Sequence, residues 1–245
     1  MFFFIRRSKV VLDCFTYLDY VYQHSPIEQA AENIPSWFKN AKTSYKEEGF
    51  GPSATMKKCP AIVKTLITGL YMPLWSDVRL EISSSRTENN TIKKELKWNF
   101  ADEKTSMVPH PQEQWKMFTQ EDKLLHVKIN SVWNFKTKQD VYFYWTQPFY
   151  HKQSEYIIVP GIDSYTTSHN TSINGFINLE KDREFILSQG TPLVHIIPLT
   201  DKRVELKHHL VSQQEYDRMQ VIPFTFVDYY KKLKKPKLKC PFHKK

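Results

Sequence analysis

The feature that most limits the fold is a succession of short segments rich in β-branched and aromatic residues, each closed by a turn signal. Residues 9–17 (KVVLDCFTY) open it. The series continues at 78–82, 96–100, 124–129, 132–135, 141–145, 156–159, 173–179, 183–187, 193–199 and 204–210. In the later part these runs recur every 8 to 12 residues or so, the spacing of a sandwich or barrel. Sixteen Phe, 13 Tyr and 6 Trp against only 6 Gly fit pleated, half-buried surfaces better than long helices or disordered tails. We therefore expect a mainly β protein, a β-clip or jelly-roll-like sandwich or barrel, with two or three short helices. Its 245 residues can bury a core without metal or disulfide staples, and residues 1–230 read as one β-rich domain.

Two segments depart from strand character. At about 57–68, Pro60 falls in the first turn, Ile62, Val63, Leu66 and Ile67 follow at helical spacing, and Gly69 stands at the stop. At about 213–219, Ser212-Gln213-Gln214-Glu215 has the form of a capping box. Ile34-Pro35-Ser36-Trp37-Phe38 reads as a short helix start that lays two aromatics on the core. Residues 42–53, polar and holding Gly49 and Gly51, read as a loop.

The formal net charge is +9, and residues 231–245 carry eight lysines without an acid, which leaves about +1 for the remainder. The body is near neutral. The basic tail, with Lys231, Lys232, Lys234, Lys235, Lys237 and Lys239, is a place where phosphate, nucleic acid or an anionic partner could be held, or it is a solvated terminus. Cys14, Cys59 and Cys240 are odd in number and far apart, which points to a reducing compartment. The opening Met1-Phe2-Phe3-Phe4-Ile5 is five apolar residues followed by Arg6 and Arg7, too short for a signal peptide. No window approaches the ~18 apolar residues of a membrane span, so the expectation is a soluble chain without membrane partners.

Several common site patterns are missing. No histidine begins His-x-Asp, His-x-Glu or His-x-His, and neither His-Glu-x-x-His, Gly-x-Ser-x-Gly nor a phosphate-loop pattern occurs. Their joint absence points away from an enzyme, and no metal or cofactor is expected. The candidate ligand-binding residues are Trp75, Asp77, Trp145, Gln147, Asp163 and His195: indole faces, one amide, two carboxylates and an imidazole, the sparse polar set on an apolar wall that ligand pockets use. Each has a plain structural alternative. The tryptophans can be core, the aspartates turn caps, and His195, within the apolar run 192–197, a satisfied core histidine. His208 and His209 point to opposite faces of a strand and cannot share an ion.

Gly161-Ile162-Asp163-Ser164-Tyr165, the strand at 173–179 and Gly190-Thr191-Pro192-Leu193-Val194-His195-Ile196-Ile197 are similar to the last third of trimeric dUTP nucleotidohydrolases, β-clip proteins. The resemblance implies that Asp163 matches the aspartate that contacts the sugar and positions water. Tyr165 falls one residue early, Thr146-Gln147-Pro148 replaces the family's Arg-Ser phosphate motif, and no glycine-rich arm closes the chain. The implication is a related β-fold without retained catalysis.

A longer resemblance runs from about residue 4 to 216. It is carried by Val11-Leu12-Asp13-Cys14-Phe15-Thr16, Ile34-Pro35-Ser36-Trp37, Thr55-Met56-Lys57-Lys58-Cys59, Met72-Pro73-Leu74-Trp75-Ser76-Asp77, Trp145-Thr146-Gln147-Pro148, Pro160-Gly161-Ile162 and the 192–199 strand. These resemble a family of uncharacterised proteins of tailed bacteriophages, the T4-like phages of marine bacteria and cyanobacteria. The resemblance implies a phage protein in the host cytoplasm or the virion, with phage or host proteins as partners or a second copy in a homo-oligomer. The expected role is non-catalytic binding or structure. A nucleotide- or sugar-binding protein or enzyme is the alternative, and nucleic-acid binding through the tail a third.

Overall fold

The computed structural model describes residues 9–46, 51–86, 88, 92–100, 107–109, 111–116, 124–151, 155–166 and 169–220, the side chains at 92, 112, 169–171 and 220 excepted. The basic tail, Cys240 and the aromatic-rich segment 221–230 lie outside the described residues.

Alternation builds the first sheet. In β1 (Val10–Thr16) Val10, Leu12, Cys14 and Thr16 are buried while the residues between them are half-buried. One face therefore meets the core. On one side β1 pairs in parallel with β16 (Val204–Leu210), Val10 opposite Val204 through Thr16 opposite Leu210. On the other it pairs antiparallel with β9 (Leu124–Lys136), which in turn pairs with β13 (His169–Asn178). Edge strand β11 (Tyr156–Ile158) closes the order β11-β13-β9-β1-β16, and β8 (Met107–Pro109) adds to β9. The segments at 124–129 and 132–135 are thus one long strand, because Asn130 and Ser131 stay extended through a register shift against β13 instead of turning.

The second sheet has the order β12-β10-β15-β5-β2: Gly161–Ser164, Tyr142–Thr146, Pro192–Pro198, Leu70–Pro73 and Glu28–Gln29. A third joins β14 (Arg183–Leu187) to β6 (Val78–Arg86) and β7 (Ile92–Phe100). A small ribbon pairs β3 (Ser44–Tyr45) with β4 (Ser53–Ala54), inside the stretch expected to be loop. The sheets pack face to face. Phe135 of β9 meets Trp145 of β10 edge-on at 5.8 Å, and Tyr165 sits against Phe135 at 5.0 Å and Phe143 at 5.3 Å. Further along, Val127, Ile129, Ile158 and Ile177 of the first sheet face Leu74, Val78, Leu80 and Phe100 around a cavity of about 20 Å³. Its lining offers a water no hydrogen-bond partners, so it is a dry packing defect. The mainly β, sandwich-like class expected from the run of short strands is what the structure has.

Four short helices are found among the described residues: α1 (Asp19–His24), α2 (Ser36–Asn40), α3 (Pro60–Ile67) and α4 (Gln213–Gln220). The helix expected at 57–68 splits. Thr55 Oγ1 accepts from the Lys57 N–H over a 3-10 turn (Met56–Lys58), and α3 starts afresh at Pro60, whose ring fits a first turn. The N-cap expected from the Ser212 pattern is present, Ser212 Oγ accepting from the Glu215 N–H at 3.2 Å. α4 lies on the outer face of the first sheet, where the buried Tyr216 donates its hydroxyl to Ser131 O and leans on Tyr17. In α2 only Phe38 reaches the core; Trp37 stays half-buried and donates its indole N–H to Tyr150 O at 2.9 Å. No helix among the described residues is long and apolar enough to cross a membrane.

Candidate binding face

Because successive strand residues point to opposite sides, register decides what each face of the second sheet carries. Phe143, Trp145, Ile196 and Leu70 are buried on the core side. The outer face then holds three rows. Ser164 stands beside Tyr142, with Leu199 bonded through its N–H to Tyr142 O; Ile162 lies beside Tyr144 and Ile197; Thr146 lies beside His195, Tyr71 and Glu28.

The first two rows are bare. Tyr142, Leu199 and Ile162 are 41%, 52% and 57% exposed, Tyr144 and Ile197 are half-buried, and none of these five side chains is charged. An antiparallel sheet with one face on its core commonly turns polar residues outward. Here the outward side carries Tyr142, Tyr144, Ile162, Ile197 and Leu199 beside the polar Ser164 in its first two rows.

The third row is covered. His195 is 3% exposed and donates from Nε2 to Thr68 O at 2.7 Å, at the end of α3. Its ring lies 4.6 Å from that of Tyr71, whose other contact is His151, edge-on at 4.8 Å. His151 ends the turn Phe149–His151, and its Nε2 is buried with no hydrogen-bond partner among the described residues. Burial, reinforced by the neighbouring His195, pulls the His151 pKa down to about 4. Burial also lowers that of His195, against the opposing bond to Thr68, and pushes the Tyr71 phenol up to about 12. All three rings are neutral at pH 7.

The six sequence-predicted residues do not share a face. Trp75 is fully buried in the core. Trp145 and Asp163 are directed to the core side of the second sheet, with Asp163 on edge strand β12 accepting from the Ser164 N–H at 2.8 Å. His195 points the opposite way from Trp145 across the same sheet. Asp77 sits at the corner before β6 and accepts from the Gln189 N–H at 2.7 Å, and Gln147 Oε1 accepts from the Ile158 N–H at 2.6 Å, joining the two main sheets. An open groove of about 280 Å³ runs between β14 and the start of β11, lined by Glu155, Phe185, Ile186, Leu187, Ser188 and Thr191. None of the six lines it. Among the described residues no group of three or more His, Cys, Asp or Glu could hold a metal ion.

Sequence reasoning reached His195 but missed Tyr71, His151 and the bare rows beside them. A signal was available in β10: Tyr142-Phe143-Tyr144-Trp145 puts aromatics on both faces of one strand, which a strand with a solvated side has no reason to do. No protein-family model matches the chain, and no curated protein or solved structure matches it either.

Proposed function

We propose that this chain is a phage-encoded protein that works by binding another protein, as a virion component, an assembly factor or an intracellular accessory protein, and that the outer face of the second sheet is its contact surface. The observation that carries the reading is the apolar face made by Tyr142, Tyr144, Ile162, Ile197 and Leu199. Contiguous apolar surface of this kind marks an interaction site more often than it marks a solvated wall. The engaged polar groups point the same way. Asp77, Asp163, Gln147 and His195 each bond to main chain, so their chemistry serves the fold.

The test is a photo-crosslinking residue at Ile162, with Lys97 on the polar face of β7 as control, read by mass spectrometry of purified virions and of infected-cell lysate. One phage or host protein crosslinked at 162 and absent at 97 is the expected result, and its fraction separates virion from accessory roles. Equal labelling at both positions, or turnover of a nucleotide or sugar by the purified protein, sinks the proposal.

A further inference from the structure

The bare rows and the covered row of the second sheet are continuous. His195 is two residues from Ile197 on β15, and Thr146 two from Tyr144 on β10. What separates them is the turn Phe149–His151, which lays the His151 ring on Tyr71. Four hydrogen bonds among the described residues hold this turn. Trp37 of α2 donates to Tyr150 O, Ile158 of β11 to Gln147 Oε1 at its root, and the Phe149 and His151 N–H groups close the turn on Gln147 O and Pro148 O.

We propose that the turn Phe149–His151 is an acid-released strap, which at neutral pH covers Tyr71 and, once His151 takes a proton, leaves the sheet and extends the apolar binding face toward β5. The mechanism is one proton on one nitrogen. An imidazolium carries N–H donors at both nitrogens, and buried Nε2 of His151 has no acceptor among the described residues, so they leave the cation of a closed strap unsatisfied. Among the described residues the groups facing it give no relief. From β5 comes the neutral Tyr71 ring, and from β15 His195, which would be a second positive charge and already spends its Nε2 proton on Thr68 O. From α2 comes the Trp37 indole at the neighbouring carbonyl. The carboxylate in the row, Glu28 of β2, accepts from the Asn33 amide. Outside the sheet the imidazolium is solvated. The lowered His151 pKa has the sign this coupling requires.

The strap is regulation of the face assigned above and takes its purpose from that reading, but its test needs no partner. Backbone hydrogen exchange is measured at pH 7 and pH 5, corrected for the pH dependence of intrinsic exchange, on the Phe149 and His151 amides and on β9 as reference. Protection of the strap is expected to fall on the order of ten-fold at pH 5 while β9 stays unchanged. The His151→Phe chain should keep its strap closed at both values, and His151→Gln, a polar ring-free replacement, repeats the comparison should the phenylalanine disturb packing. Strap protection that is the same at both pH values in the unaltered chain overturns the proposal. So does loss of protection at pH 5 in both variants. A face that captures no partner at pH 7 would count against the binding reading and leave this result standing.

Discussion

Tyr156 donates its phenolic hydroxyl to the carbonyl of Pro192 at 3.2 Å, so an edge strand of the first sheet is bonded to the central strand of the second. The phenol is 5% exposed, and burial with the charge of Glu155 beside it raises its pKa, so it remains a donor across the working range. Tyr156→Phe keeps the ring and deletes the bond. We expect a loss of about 1 kcal/mol, the net value of one such hydrogen bond, seen as a lower urea midpoint with an unchanged slope. No change in midpoint would mean that the sheets are held by packing alone at this end.

Two glycines at positive φ should respond differently to alanine. Gly69 (φ +87) follows α3, and a Cβ there would lie 2.4 Å from Ile196 O and 3.1 Å from Ile197 Cα, both main chain of β15. Gly190 (φ +82) turns the chain into β15 with nothing within 4 Å. Gly190→Ala meets only the left-handed penalty, about 1 kcal/mol. Gly69→Ala adds a backbone collision and should cost about 3 kcal/mol or more. Thermal unfolding of the pair decides it, and equal losses would contradict the close approach.

How much of this was legible in the sequence follows from what each feature depends on. Strands at 183–187 and 204–210 were readable to the residue because local alternation and flanking turns define them. The Ser212 box marked a helix start by local chemistry in the same way, whereas the start expected at 57 lies at Pro60, after a separate 3-10 turn. The parallel pairing of β1 with β16 was not readable, since it joins residues 194 apart, Val10 to Val204, and nothing local encodes a partner. The candidate site fared worse for a related reason. Trp145 and His195 were grouped by residue type, yet β10 and β15 align Trp145 with Ile196 and so send the two side chains to opposite faces. Register, which one residue of slip would invert, decided the site.

The bare face makes a prediction that requires no partner. Ile162 and Leu199 are 57% and 52% exposed, so replacing either by Glu removes little burial and should alter stability by no more than about 0.5 kcal/mol. Apolar dyes such as anilinonaphthalene sulfonate should bind the unaltered native chain at pH 7 and bind Ile162→Glu/Leu199→Glu markedly less. A double variant with unchanged dye binding would show that the five side chains are too scattered to act as one surface.

Acid should destabilise this protein before its carboxylates titrate. His151, His195 and His208 all have folded pKa values below the ordinary histidine value of about 6.5, chiefly through burial, with His208 also donating to Ile27 O at 2.9 Å. The unfolded chain therefore binds more protons than the folded one as pH drops below about 6.5, and linkage makes stability fall with pH in that window. Above it the term is constant. For His151 the loss continues to about pH 4, where the folded form protonates as well. The ring is only partly buried, so solvent screening trims its share to on the order of 1–2 kcal/mol, and the other two histidines act in the same direction. Urea midpoints at pH 7.5, 6, 5 and 4.5 should decline steadily, and His151→Phe should flatten the curve. Midpoints that stay level from pH 7.5 to 5 would mean that these histidines are no more buried than free imidazole.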